Sequence, residues 1–148
     1  MNASDRSVTG NDTPALDPRL PRHVIPNNYS IHLVPLIEDA TFTGSVTIDV
    51  QITESTSEIV LNAAELTIAS VSIRRGDETI DPTWRLDSDT ERMHLHLDSL
   101  LAAGSATIDI TFAGILNDQL RGFYLSTYID DDGVERTIAT SQMQSTDA

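Results

Sequence analysis

Phe42-Thr-Gly-Ser-Val-Thr-Ile-Asp-Val-Gln-Ile-Thr53 alternates apolar and polar residues almost without a break. Successive side chains of an extended chain point to opposite sides, so Val46, Ile48, Val50 and Ile52 share one face and Thr47, Asp49, Gln51 and Thr53 the other. That pattern predicts a strand with one face packed and one face in water.

Outward from this stretch the same period recurs. Upstream, Tyr29, Ile31 and Leu33 alternate with Ser30, His32 and Val34, and Pro35 is expected to limit how far this first strand runs. Downstream, Ser57 to Asn62 contains Ile59-Val-Leu61, and Leu66 to Arg74 carries one phase slip at Ala69-Ser70 that predicts a bulge or turn. Arg75-Gly76-Asp77 marks a turn, followed by short strands at Thr79-Ile80, Trp84 to Leu86 and Met93 to Leu97. Ser99-Leu-Leu-Ala-Ala-Gly104 reads as at most a one-turn helical bridge into Ala106 to Phe112. Gly122 to Tyr128 and Val134 to Thr140 flank Asp130-Asp-Asp-Gly133, which predicts a hairpin. Eight or nine short, mainly antiparallel strands with no helix of normal length predict an all-β domain of sandwich type.

The 148 residues suffice for one domain, placed at 19–148 behind a polar leader, 1–18, that reads as disordered and lacks the apolar core of a secretory signal. No run approaches the ~20 apolar residues of a membrane helix. The 23 acidic residues outweigh nine basic ones, all arginine, for a net charge of −14. Such a surface repels phosphate, so neither nucleic acid nor an anionic membrane is an expected partner; a solvated surface or attraction of cationic ligands suits it. With no cysteine, disulfides, thiolate metal sites and cysteine nucleophiles are excluded, and a cytoplasmic location is the expectation.

Motifs with chemical meaning are few. His94-x-His96 sets two imidazoles on one side of a strand, which grips a divalent metal if a third ligand converges and is otherwise an exposed pair opposite buried Met93, Leu95 and Leu97. His23 and His32 stand alone. Asp130-Asp-Asp-Gly133 looks calcium-like but lacks the ligand spacing of a calcium loop, which leaves a turn. No phosphate loop, nucleophile elbow or His-Glu-x-x-His helix occurs. In the tail, Gln142 and Gln144 of an extended Gln-Met-Gln project to one side. Their carbonyls accept from an ammonium group and their NH2 groups donate to carbonyls, so the pair suits a peptide's amino end; an ordinary edge strand has the same pattern.

Several segments resemble the N-terminal domain of the zinc aminopeptidases of the aminopeptidase N family, puromycin-sensitive aminopeptidase and leukotriene A4 hydrolase among its members. Arg19 to Pro35 is similar to the opening strand, Phe42 to Ile48 to the second and Ile59 to Asn62 to the third. Gly122-Phe-Tyr-Leu-Ser-Thr-Tyr128 followed by Ala139-Thr-Ser-Gln-Met-Gln-Ser-Thr-Asp-Ala148 resembles the family at its domain junction in order, spacing and identity. The resemblance implies a saddle-like β-sandwich whose last strands line the cleft of a catalytic domain in cis. It implies that Gln144 contacts the α-amino group of a peptide substrate, that Gln142 borders the pocket for the first side chain, and that Met143 is structural. Many relatives have glutamate where this chain has Gln144, and an amide binds ammonium less strongly than a carboxylate does. The family's zinc motif and exopeptidase motif lie beyond Ala148, so the resemblance implies zinc in the catalytic domain, no cofactor and no catalytic residue in this chain, and no hydrolysis by the chain alone. Two other readings accompany it: a free-standing β-sandwich binding module, and a domain that docks a separate catalytic chain.

Overall fold

The computed structural model describes residues 19–119 and 122–142. They form ten strands: β1 (Val24–Leu36), β2 (Thr41–Ile52), β3 (Thr56–Asn62), β4 (Leu66–Arg75), β5 (Glu78–Ile80), β6 (Thr83–Asp87), β7 (Arg92–Leu101), β8 (Gly104–Ile115), β9 (Gly122–Ile129) and β10 (Glu135–Gln142). A single turn of 3-10 helix at Ile37–Asp39 links β1 to β2. The leader 1–18 and the residues after Gln142 lie outside the described residues.

The strands form a five-stranded sheet in the order β1-β2-β8-β4-β5, a three-stranded sheet β3-β7-β6 and a two-stranded sheet β10-β9. All strand pairs are antiparallel. The expected all-β sandwich is what forms, since the two larger sheets face each other across one core. Ile48, Val50, Ile52, Val71, Ile73, Ile108 and Ile110 enter it from the first sheet, and Ile59, Met93, Leu95 and Leu97 from the second. The alternation read at 46–53 runs in phase with this burial, with Ile48, Val50 and Ile52 no more than 5% exposed.

The opposite face of the large sheet is polar and laced across strands. Asp109 accepts from the Thr47 hydroxyl at 2.7 Å and from Arg74 through two nitrogens at 2.6 and 3.1 Å. Thr107 donates to Asp49 at 3.0 Å, and Ser105 to Gln51 at 3.2 Å. The Arg74 guanidinium, helped by the Thr47 hydroxyl, holds the Asp109 carboxyl below the usual range.

Three sequence expectations require correction. The first strand starts at Val24, not Tyr29, and ends at Leu36, one residue after Pro35. β1 is an edge strand, where a missing N–H is tolerated, and the register shifts between Pro26 and Asn28. Ser99 to Leu101 is not a helical bridge but the end of β7; Leu97 and Leu101 are buried while Leu100 is 70% exposed. A single helical turn fixes three residues for one hydrogen bond and cannot compete with an existing ladder. Arg75 then donates to the carbonyls of Ala102 and Ala103 at 2.7 and 2.8 Å, closing the connection to β8. Third, the strands are not uniformly short, with 13 residues in β1 and 12 each in β2 and β8. The phase slip at Ala69-Ser70 is a bulge, seen as a register shift between Ile68 and Ser70.

Two glycines permit an aromatic cluster at the far end of this sheet. Phe42 faces Gly114, and Gly44 faces Phe112, across the β2–β8 pair. A Cβ on Gly44 would lie 2.7 Å from the Phe112 ring, and one on Gly114 would strike the Phe42 ring. The two rings meet edge to face at 6.3 Å, and Phe42 in turn meets Phe123 of β9 at 5.3 Å. Gly114→Ala is therefore expected to cost about 1–3 kcal/mol by overpacking and to loosen the β9–β10 hairpin. Thermal melting and amide exchange at Leu125 check this; unchanged values would mean that Phe42 moves aside freely.

Candidate functional site

The hairpin β9–β10 carries Gln142, the first of the residues singled out from the tail. Its pairing runs from Ile129 opposite Glu135 to Gly122 opposite Gln142, so Gly122, Tyr124, Ser126 and Tyr128 share a face with Gln142, Thr140, Ile138 and Arg136. Phe123 lies on the other face, where it packs on Phe42. The Leu125 N–H donates to the Asn117 carbonyl at 2.9 Å, and a parallel bridge joins Asn117 to Tyr124. The hairpin is thus fastened to the body on one face and one edge. Its other face presents Gln142, Tyr128 and Ile138, all exposed.

Asp130-Asp-Asp-Gly133 is the expected turn. Asp130 Oδ1 accepts from the backbone N–H groups of Asp132 and Val134 at 3.1 and 2.9 Å, and Oδ2 accepts from Arg136 at 2.8 Å. Gly133, with φ +77°, supplies the left-handed position. The Asp130 carboxylate is therefore spent on closing the turn. Arg136, with the N–H groups of Val134 and Asp132, holds this carboxyl below its ordinary range. A folded-state pKa below the unfolded one makes a contribution that is complete above the unfolded value and is lost as pH falls through the folded one. The Asp130 carboxyl is expected to titrate below the ordinary carboxylate range, with the tip loosening as pH falls through its lowered folded-state pKa. A carboxyl-carbon NMR titration with its midpoint at or above the ordinary value would contradict this.

The His-x-His motif of β7 meets a carboxylate on the neighbouring strand. His94 Nδ1 lies 2.9 Å from Glu58 Oε1, and the rings of His94 and His96 stack at 6.4 Å. His96 is exposed as expected, whereas His94 is half-buried against its carboxylate partner. His23 does not stand alone, because its Nε2 is 3.2 Å from the Glu58 carbonyl oxygen and 3.3 Å from the Thr56 hydroxyl. His32 lies exposed on β1. Among the described residues no three His, Cys, Asp or Glu side chains converge as a metal site.

Gln142 ends β10, exposed and opposite Gly122. Gln144 and Met143 lie outside the described residues. Tyr124 and Gly122, the cross-strand neighbours of Gln142, were not singled out as site residues from the sequence. The signal for them is the Asp130–Gly133 turn, from which counting back along both strands yields the pairing.

Elsewhere an open recess of about 300 Å³ lies between β1, β2 and β3, lined chiefly by Pro21, Val24, Tyr29, Ile48, Val50 and Val60. It has apolar walls and Arg22 as its one charged lining residue, and so lacks the convergent polar groups of a reactive centre. No described helix is long and apolar enough to cross a membrane.

The chain matches the model of the peptidase M1 N-terminal domain over residues 25–148. It is similar to aminopeptidase M1 of Arabidopsis thaliana, 36% identical over 89% of this chain and 16% of that protein. It is also similar to the puromycin-sensitive aminopeptidase of Caenorhabditis elegans, 35% identical over 86% of this chain and 14% of that protein. Endoplasmic reticulum aminopeptidase 1 of Rattus norvegicus is 31% identical over 99% of this chain and 16% of its own length. The chain spans about one-sixth of the length of these curated relatives. Its sandwich, its hairpin and the match over residues 25–148 agree, and the chain belongs to the peptidase M1 N-terminal domain family.

Proposed function

We propose that residues 19–148 are the substrate-anchoring N-terminal domain of a zinc aminopeptidase that removes N-terminal residues from peptides, with residues 1–18 as a leader outside the domain. In this reading Gln144 accepts hydrogen bonds from the substrate's α-ammonium group, and Gln142 borders the pocket for the first side chain. The domain contributes position rather than bond cleavage: holding the amino end in one place turns a diffusive encounter into an oriented one. Zinc belongs, in this reading, to a catalytic domain in cis, as the resemblance to the zinc aminopeptidases implies. Cysteine-free composition is what a reducing compartment permits, and we set the enzyme in the cytoplasm.

The observation that carries the reading is the β9–β10 hairpin, fastened by Phe123 and Asn117, which turns Gln142 outward at the end of the strand leading to Gln144. The family match over residues 25–148 supports it. So does exposed apolar surface suited to a covering domain. Tyr29 and Ile31 stand opposite Ile48 and Val46 on the inward face of the large sheet, yet are 54% and 55% exposed.

The test is to express the reading frame that contains this domain, including whatever follows codon 148, and assay it on peptides. One bound zinc per chain and release of N-terminal residues, abolished by a chelator, are expected. A product without zinc or hydrolysis would return the chain to a non-catalytic β-sandwich binding module.

A further inference from the structure

We propose that His94 and His96 form a two-imidazole chelate on the outer side of β7 that takes a borderline divalent cation, copper(II) in preference to nickel(II) or zinc. The inference is independent of the peptide-anchoring reading of Gln142 and Gln144.

The strand itself sets the pair. Alternate residues of a strand point to one side, and Met93, Leu95 and Leu97 take the core side, so both imidazoles are turned away from the core. Their rings lie nearly parallel, with an interplanar angle of 17° and centroids 6.4 Å apart. A shared ion draws each imidazole nitrogen to about 2 Å from itself, so one ring must lean toward the other. His96, exposed on the strand, supplies that movement by a change of rotamer.

His94 is prepared for the role by Glu58. Its Nδ1 lies 2.9 Å from Glu58 Oε1. An ionised carboxylate can only accept, so a neutral imidazole facing it carries its hydrogen on Nδ1 and keeps the lone pair on Nε2. Histidines that hold metal ions commonly donate their second N–H to a carboxylate, which fixes the ring and raises the basicity of the ligating nitrogen. Glu58 is placed in turn by β3. Its backbone N–H donates to the Thr56 hydroxyl at 3.1 Å, that hydroxyl donates to the Glu58 carbonyl at 2.7 Å, and Glu58 stands directly opposite His96 in the β3–β7 pair. The carboxylate is thus a positioning group for the chelate.

The donor set selects the cation. No third His, Cys, Asp or Glu converges with the pair among the described residues, which argues against a tetrahedral structural zinc site with four protein ligands. Copper(II) and nickel(II) prefer square or tetragonal arrangements of nitrogen and oxygen donors, and two imidazoles with water in the other positions satisfy them. Affinity for such a set rises through nickel to copper and falls again at zinc. Calcium takes oxygen ligands and gains nothing from imidazole. Arg85 stands opposite His94 on β6, with its guanidinium 3.8 Å from Asp87. The net charge of −14 concentrates cations around the whole chain without choosing among them, so the choice falls to the two nitrogens.

The experiment uses the untagged 148-residue chain and copper(II) alone, followed by titration calorimetry and by pulsed EPR, which counts the imidazoles on the metal. One copper per chain with two imidazoles is expected; one imidazole or none overturns the proposal without any variant. His96→Gln, at an exposed position, is expected to weaken binding by more than about tenfold, because even an outer-shell partner contributes about 10- to 100-fold. His32→Gln, on β1, is expected to leave the affinity unchanged. Equal losses in these two variants, or a loss in neither, would put the copper elsewhere and refute the pair. Glu58→Ala is expected to keep both imidazoles on the copper while weakening it about tenfold, and unchanged affinity there would remove the positioning role. Calcium in large excess is expected to leave copper bound; its displacement would mean diffuse attraction to the acidic surface and would sink the chelate.

Discussion

Ile108→Ala is expected to lower the unfolding free energy by about 2–5 kcal/mol, the usual range for emptying a large aliphatic position that cannot collapse. Ile108 is fully buried in β8, flanked by Ile48 on β2 and Ile73 on β4, in the core shared with Met93 and Leu95 of the second sheet. Neighbours on both sides are held in ladders, so the lining has little freedom to close over the void. Against a total stability of about 5–15 kcal/mol for an ordinary domain, this removes a large fraction. Urea denaturation should show a lower midpoint at unchanged slope. A loss under about 1 kcal/mol would mean that the two sheets do not pack through this residue.

Gln144→Ala, in the enzyme proposed above, is expected to lower kcat/KM by about 10- to 100-fold, because a hydrogen bond to a charged group contributes about 1.5–3 kcal/mol. Removing the acceptor also leaves an ammonium group without its partner at the moment of bond cleavage, so kcat should fall together with kcat/KM. Gln144→Glu should tighten binding of the amino end by replacing a neutral acceptor with a charge-assisted pair. A full-length enzyme whose kcat/KM is unchanged by Gln144→Ala would remove the anchoring role, whatever its specificity.

Much of the hairpin was legible in the one-dimensional pattern. Asp130-Asp-Asp-Gly133 marked the turn, alternation marked the arms, and the observed pairing of Gln142 with Gly122 is the register that such a turn dictates. What could not be read was how the hairpin is fastened. The Phe123–Phe42 contact joins residues 81 positions apart, and it exists because Gly114 leaves room for the Phe42 ring on a third strand. Composition likewise left His94 open between metal ligand and wet surface, since its neighbour Glu58 comes from a strand 36 residues away.

The amino-acid sequence by itself determined where the strands lie and which side of each is apolar, because the two-residue alternation of a strand is a local property. It also determined the turns, through glycine and aspartate, whose backbone preferences need no distant partner. Only the tertiary structure decided that β8 lies between β2 and β4, that Pro26 and Pro35 are harmless on an edge, and that Tyr29 and Ile31 stay uncovered on an inward-facing row. Each of these depends on which surfaces meet across long stretches of chain, and hydrophobic burial specifies how much area must be covered without naming the residue that covers it.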